Sequence, residues 1–431
     1  MTNNNYNQKN RHWMKLDNAA KIFPAAMSRG WMSMFRLSAE LTEPVDIEVL
    51  QKAQIRTVKR FPSISLRLRK GVFWYYLEHI EAEPPLYEDA ANPCIRINFK
   101  QNNGYMFRVR YHDTKIALEF FHVLTDGTGG LCFLKTLVAE YLTLKYGICI
   151  PRSDSILDCN EAPKLEETED SYIKYARDVK VSRISEAAYH LSGTSEDKDF
   201  MHITTALLSA SEVISKAKSY NVTVTEYILA NLIMAIYDAQ KAEIDIKHRK
   251  PIVICVPVNL RKYYPTSTMR NFAGIVNIGI SPKFGDYTFE ETLKVVKHQM
   301  GLQTSEKMMN AWMTTNVSTE KNTFMRVAPL FIKNPTMKIA YGFNADRASS
   351  TTLSNLGNIK LPEEMACFVT RFDFMLGSSK KNPAVCGCIT YNDLMSINIT
   401  RQIKEPTLEH NFYTRLVMQG IHVKIESNQR Y

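Results

Sequence analysis

Phe120-Phe121-His122-Val123-Leu124-Thr125-Asp126-Gly127-Thr128-Gly129-Gly130 is the stretch on which the reading of this chain turns. An apolar, strand-like run ends on a histidine, a glycine-rich turn follows, and an amphipathic helix starts at about Gly130. A strand of this kind holds an imidazole in a dry, fixed position with its charge change near neutrality, as a general base requires. Gly127, Gly129 and Gly130 admit positive φ or close backbone approach. Two plainer readings stand beside that one. His122 could be a core histidine whose nitrogens are satisfied by the backbone. Gly-Thr-Gly-Gly between strand and helix could also cradle a phosphate, although it lacks the G-x-G-x-x-G spacing and no lysine follows in the loop.

Outward from this stretch the pattern is mixed α/β. Asp46–Lys59 predicts a helix capped by Asp46, with Val49, Leu50, Ala53 and Val58 near helical spacing. Strands are expected at Ser63–Leu68, Val72–Leu77, Cys94–Phe99, Met106–His112 and Lys115–His122, from their β-branched and aromatic content. The helix after the glycines runs to about Lys145. Residues 151–200 are acidic and carry Pro151 and Pro163; they read as a crossover, with an exposed helix over Tyr172–His190. Beyond it, Ser209…Glu212, Thr223…Glu226 and Thr288…Glu291 have the form of capping boxes that open helices. Ile252–Val256, Phe272–Ile280, Thr336–Gly342, Thr351–Leu356, Cys386–Tyr391 and Leu394–Thr400 read as strands. The division this suggests is an N-terminal half, 1–180, and a C-terminal half, 201–431.

Composition excludes several classes. The chain has 431 residues, 45% hydrophobic and 23% charged, enough for two or three ordinary cores. Its 17 Gly and 17 Pro are too few for low-complexity or collagen-like sequence. The formal charge of +10 is spread over the whole length rather than gathered on one element with interleaved aromatics, so nucleic acid is not the expected partner. No apolar run reaches 18 residues; Val222–Ala239, with Glu226 and Asp238 inside it, reads as a buried helix. Eight scattered cysteines, mostly in apolar runs, suit a reducing compartment and a soluble, cytoplasmic protein. There is no G-x-S-x-G elbow, P-loop, H-E-x-x-H or Cys-x-x-Cys, and Cys386-Gly-Cys388 has too few partners for zinc.

His122-x-x-x-Asp126-Gly127 resembles the H-x-x-x-D-G signature of the chloramphenicol acetyltransferase-like superfamily. That superfamily includes condensation domains, plant acyltransferases and bacterial alcohol acetyltransferases. Further segments match in the expected order: Val256-Pro-Val-Asn259-Leu-Arg261 looks like the strand ending in x-x-R, and Thr352-Leu-Ser354-Asn355-Leu-Gly357 looks like the second signature segment. The stretch from Ile389 to Thr400 resembles the late strands. Two features depart from relatives. Condensation domains usually carry paired histidines where this chain has Phe121-His122, and the D-F-G-W-G signature of the plant enzymes is absent. Both differences point toward the alcohol acetyltransferase branch.

The resemblance implies two acyltransferase subdomains with mixed sheets and an active-site tunnel between them. His122 is then the general base, and no cofactor is permanently bound. An acyl-CoA, acetyl-CoA first, is the cosubstrate, and a small or lipophilic alcohol the acceptor. It also implies that Asp126 pairs with an arginine rather than with His122, with Arg261 the candidate; Gly127 and Asn259 are structural at the site, and Asn259 could equally line the tunnel or stabilise it. Ser354 and Asn355 are candidate oxyanion donors, with the adjacent backbone as a third option, against the alternative that they form an ordinary strand-ending turn; Tyr391 could equally line the tunnel or stabilise it. For coenzyme A phosphates the basic residues to consider are Lys321, Arg326, Lys333 and Lys338, while Phe73-Trp74-Tyr75-Tyr76 reads as core or sheet face. A donor carried on an acyl carrier protein, and a non-catalytic scaffold of the same fold, are the competing functions.

Overall fold

The computed structural model describes residues 13–28, 31–153, 155–179, 181, 186–197, 200–321, 327–341, 347–379 and 381–429. Along the chain the strands are β1 (Trp13–Lys15), β2 (Met34–Leu41), β3 (Leu66–Lys70), β4 (Tyr75–His79), β5 (Leu86–Glu88), β6 (Phe107–His112) and β7 (Lys115–Phe121). They continue as β8 (His202–Ser209), β9 (Ile252–Asn259), β10 (Ala273–Ile280), β11 (Thr351–Ile359), β12 (Val369–Leu376), β13 (Ala384–Tyr391), β14 (Leu394–Arg401) and β15 (Lys424–Ser427). The helices are α1 (Ile22–Ala26), α2 (Ile47–Arg60), α3 (Gly127–Tyr146), α4 (Ser171–Tyr175), α5 (Ala210–Ser219) and α6 (Val224–Glu243). The remaining helices are α7 (Phe289–Gln303), α8 (Glu306–Lys321), α9 (Leu330–Tyr341), α10 (Glu363–Ala366) and α11 (Thr407–Met418).

Three sheets result: β12-β2-β7-β6-β5, β10-β9-β11-β13-β14-β8-β15, and the small β1-β4-β3. The first two are mixed, with β5 parallel to β6 and β11 parallel to both β9 and β13. Strand β12 comes from late in the chain and pairs antiparallel with β2, so the first sheet is completed by residues 369–376. In that sheet the register aligns Phe35, Phe120 and Phe107 across β2, β7 and β6. These rings stack at 5.3 and 5.9 Å, and Phe133 of α3 meets Phe107 and Phe120 edge-on. The alternate positions carry charge instead: buried Glu119 is paired with Arg36, Arg108 and Arg110. Strand alternation therefore sends aromatic rings toward α3 and the ion cluster to the opposite face. In the second half α6 is buried from Tyr227 to Tyr237, packed between α7 and α11. Among the described residues no single helix is long and apolar enough to cross a membrane.

Several expectations need correction. Thr336–Gly342 does not form a strand: the described part lies in α9, which contains Pro335, and Gly342 falls outside the described residues. The helical period shows only when Lys333 is counted as an inward position with Leu330 and Met337, which no hydropathy reading does. Cys94–Phe99 is irregular, with Cys94 at φ 59° and its N–H bonded to Glu119 at 3.0 Å. Among the described residues only Tyr172–Tyr175 of the expected 172–190 helix is helical, as part of α4, and residues 180 and 182–185 of that stretch lie outside the described residues. The strand placed at Val72–Leu77 starts later, at Tyr75, because Gly71 to Trp74 forms the turn. Thr223 and Thr288 make full capping boxes; at Ser209 only half forms, since Glu212 turns to His422.

Candidate active site

Helix α3 begins at Gly127 rather than Gly130, so the glycines are its first turn. Asp126 is the N-cap, and one carboxylate oxygen accepts from the N–H groups of Thr128 (3.1 Å) and Gly129 (3.0 Å). Glycine at 129 follows from packing, since a Cβ there would stand 2.3 Å from the Met269 carbonyl oxygen and 2.2 Å from Thr125 Oγ1. Thr125 donates to that same carbonyl at 2.6 Å, which ties the turn to the loop joining β9 and β10. A Cβ at 127 would meet Leu356 of β11 at 2.8 Å.

The second oxygen of Asp126 accepts from Arg261 Nη1 at 2.8 Å and from the Phe272 N–H at 2.7 Å. Both oxygens are thus engaged away from His122, and the expected pairing with Arg261 is what the geometry holds. Burial alone would raise the Asp126 pKa; the guanidinium and the N–H donors outweigh it and keep the carboxyl below its ordinary value. Arg261 also donates to the carbonyls of Thr268 and Arg270, and Asn259 Oδ1 accepts from the Arg261 N–H at 3.0 Å. The ion pair therefore does more than shape a turn. It fixes the 268–272 loop, and that loop carries Asn271.

Asn271 is the residue that sequence reasoning missed. Its Nδ2 donates to Asp17 Oδ2 and to the His122 carbonyl, both at 3.1 Å. Two acceptors on that side leave Oδ1 facing His122 Nδ1 at 2.9 Å. A carbonyl oxygen can only accept, so Nδ1 carries the proton and Nε2 keeps its lone pair. Nε2 has no hydrogen-bond partner among the described residues. The ring is held further by Phe23, stacked at 4.8 Å, and by Phe35 edge-on at 5.2 Å. The backbone N–H of His122 donates to the Ser33 carbonyl at 2.9 Å, extending the β2–β7 ladder by one position. Asn271 stands ten residues after Arg261 in no short motif, and Asp17 lies 254 positions before it, so neither had a local signal. On the reading that His122 acts as a base, replacing Asn271 by alanine is expected to lower turnover on the order of 10–100-fold, by analogy with the partners that orient metal-bound histidines, with the pH profile displaced as the tautomer loses its anchor. A profile and kcat matching wild type would refute this role.

Asp17 is fully buried, accepts from the Ala20 N–H at 2.7 Å and lies 3.6 Å from Arg270. Burial pushes its pKa up, with Arg270 pulling against it. Nearby Asp170 caps α4 and accepts from the Asn18 N–H. Its pKa is pushed up to about 6, by burial first and then by the Asp17 charge. A folded value above the unfolded one means stability is present at low pH and lost as pH rises through about 6. The difference in unfolding free energy, Asp170→Asn minus wild type, is therefore expected to grow from pH 5 to pH 7.5 by roughly 1–2 kcal/mol, as urea titrations at the two pH values measure. A difference that stays flat with pH would contradict it.

Ser354 and Asn355 sit inside β11, opposite Gly387 and Cys388 of β13, not in a turn at its end; the strand continues to Ile359 past a bulge after Asn355. Neighbouring strand residues face opposite sides, so the two are not equivalent. Asn355 donates to Thr225 in α6 at 3.2 Å and accepts from the Gly357 N–H at 2.8 Å, facing the C-terminal core with Leu353. Past the bulge Leu356 abuts Gly127, and the Ser354 hydroxyl has no partner among the described residues. Tyr391 is buried, with its hydroxyl 3.3 Å from the Ala366 carbonyl. Two cavities, of about 850 Å³ beside Tyr391 and His422 and about 400 Å³ beside Tyr220 and His410, are not lined by His122 or Ser354. Of the basic candidates, Lys333 is buried against Phe73 and Trp74 rather than at a site mouth, and Lys338 is exposed. Arg326 and the Lys321 side chain lie outside the described residues.

Neither a family model nor a curated protein matches the sequence. Solved structures do match in shape. TRI101 of F. sporotrichioides, complexed with coenzyme A and T-2, is similar over 96% of this chain and 99% of that one, with a TM-score of 0.64 and 10% identity. Polyketide synthase associated protein 5 from Mycobacterium tuberculosis gives 0.61 at 11% identity, over 94% and 97% of the two chains. The first condensation domain of the calcium-dependent antibiotic synthetase gives 0.60 at 13% identity, over 94% and 96%. The chain thus shares the mixed α/β fold of these acetyltransferase and condensation-domain structures over nearly its whole length.

Proposed function

We propose that this chain is an acyltransferase that moves an acyl group, acetyl first, from a coenzyme A thioester to an alcohol hydroxyl. The observation that carries the reading is His122, with Nδ1 held by Asn271 and an unengaged Nε2. Nε2 takes the hydroxyl proton as the oxygen attacks the thioester carbonyl and the C–O bond forms. The tetrahedral oxyanion accepts a hydrogen bond from Ser354, the candidate whose hydroxyl is uncommitted. The C–S bond then breaks and the imidazolium returns the proton to the departing thiolate. Proton and electron pairs balance with no covalent enzyme intermediate. Asp126, Arg261, Asn259 and Gly127 keep the turn and its loop in register, and Asn355 braces β11. Likeness to structures holding coenzyme A supports the donor class.

The test is free coenzyme A, and the mass of the new ester or amide, after incubation with acyl-CoAs and mixed alcohols and amines. Release by wild type and not by His122→Ala is the expected result, and the product mass names the acceptor. No release from either protein would remove free acyl-CoA as donor and leave a carrier-bound thioester or a scaffold. Equal release from both would remove His122 from the mechanism.

A further inference from the structure

Helix α9 is built inside out. At ~100° per residue, Phe331, Pro335, Ile339 and Ile332 fall within one sector of about 100°, and that sector faces solvent: Phe331 is 74% exposed and Ile339 60%. The opposite side packs on α1 and places Lys333 inward, 1% exposed, with Nζ 2.7 Å from the Phe73 carbonyl and 3.4 Å from the Trp74 ring centre. Beside the first turn of α9, the β3–β4 turn exposes further apolar side chains, Val72 at 69% and Phe73; the Leu330 N–H donates to the Val72 carbonyl at 2.9 Å, fixing the two elements side by side. A soluble helix normally reverses this arrangement, and a contiguous exposed apolar patch marks an interaction surface.

Charge identifies the occupant. Lys338 is exposed at the edge of the apolar sector, and on the turn side Lys70 is exposed next to Gly71. Bulky apolar side chains standing out of a helix and an adjoining turn, flanked by cations, suit entry into the boundary between headgroups and acyl chains of an anionic bilayer. We propose that α9 and the β3–β4 turn form an interfacial docking face for anionic lipid membranes. The surface lies over α1, whose Phe23 stacks on His122. If the acyl-transfer reading holds, a membrane-dissolved alcohol is thereby the acceptor class presented to this site. The docking itself does not depend on that reading.

Flotation with vesicles tests it, using phosphatidylcholine alone and an equal mixture with phosphatidylglycerol at low and high salt. Wild type is expected to float with the mixed vesicles, less so at high salt. The exposed-site double variant Phe331→Ser/Ile339→Ser is expected to lose at least about tenfold in partitioning, from the apolar area it no longer buries, with an unchanged circular dichroism spectrum. His122→Ala is expected to float as wild type does, which separates docking from catalysis. Three results would overturn the proposal: wild type remaining unbound to mixed vesicles, equal binding to phosphatidylcholine alone, or undiminished flotation of the double variant. A wild-type dimer that the double variant dissolves, without vesicle binding, would reassign the face to self-association.

Discussion

His122→Ala is expected to lower turnover by about 10²–10⁴-fold, the usual worth of a positioned general base, while unfolding free energy changes little. The second half of that statement follows from the packing. The imidazole makes one side-chain hydrogen bond, to Asn271, and two ring contacts, with Phe23 and Phe35. Its backbone bonds to Ser33 and Asn271 do not need the side chain. Asn271 keeps Asp17 as a partner when the ring is gone. Steady-state kinetics with denaturant unfolding on the same preparation checks both halves. A loss of stability comparable to the loss of rate would instead make His122 a structural histidine.

Arg261→Met carries the larger thermodynamic effect, a loss of about 3–5 kcal/mol, because it leaves a buried carboxylate without its cation. Asp126 and Arg261 side chains are only 6% and 13% exposed, so solvent does little to replace the lost partner. The carbonyls of Thr268 and Arg270 lose their donors together with the charge. The loop carrying Asn271 is released, so activity falls as well. Adding Asp126→Asn to Arg261→Met is expected to recover part of the stability, since the amide oxygen can still cap α3 without an unpaired charge. The pair also predicts acid sensitivity: with the folded pKa of Asp126 depressed, its contribution is complete above the unfolded carboxylate value near ~4 and is lost as pH falls through the lower folded value. Urea titrations at pH 7 and at pH 3–4 measure this. An Arg261→Met protein as stable as wild type would show the pair to be dispensable.

How much of this was legible in the residues differs by element. The β7 strand, the His122 and Asp126 positions and the Asp126–Arg261 pairing came from local pattern and from the resemblance, and the geometry agrees with each. Helix α9 misled the hydropathy reading because its inward face holds a lysine and its outward face holds Phe331 and Ile339, the reverse of the rule on which periodicity depends. The start of α3 was misplaced because glycines are poor helix formers; here close approach of Met269 and Leu356 demands them despite that cost.

By itself, the sequence determined the class of secondary structure and a histidine set at the end of an apolar strand. Those properties depend on neighbours within a few residues, through strand alternation, helix period and capping. Only the tertiary structure decided which imidazole nitrogen is available. That choice depends on the Asn271 amide, turned by Asp17 from far upstream and held in place by an ion pair spanning 135 positions. It likewise committed Asn355 to Thr225 of α6 and the Gly357 N–H, partners that its place in a strand-like run does not announce. Contacts so distant in sequence leave no periodic trace, because no local energy term links the residues until the chain has folded.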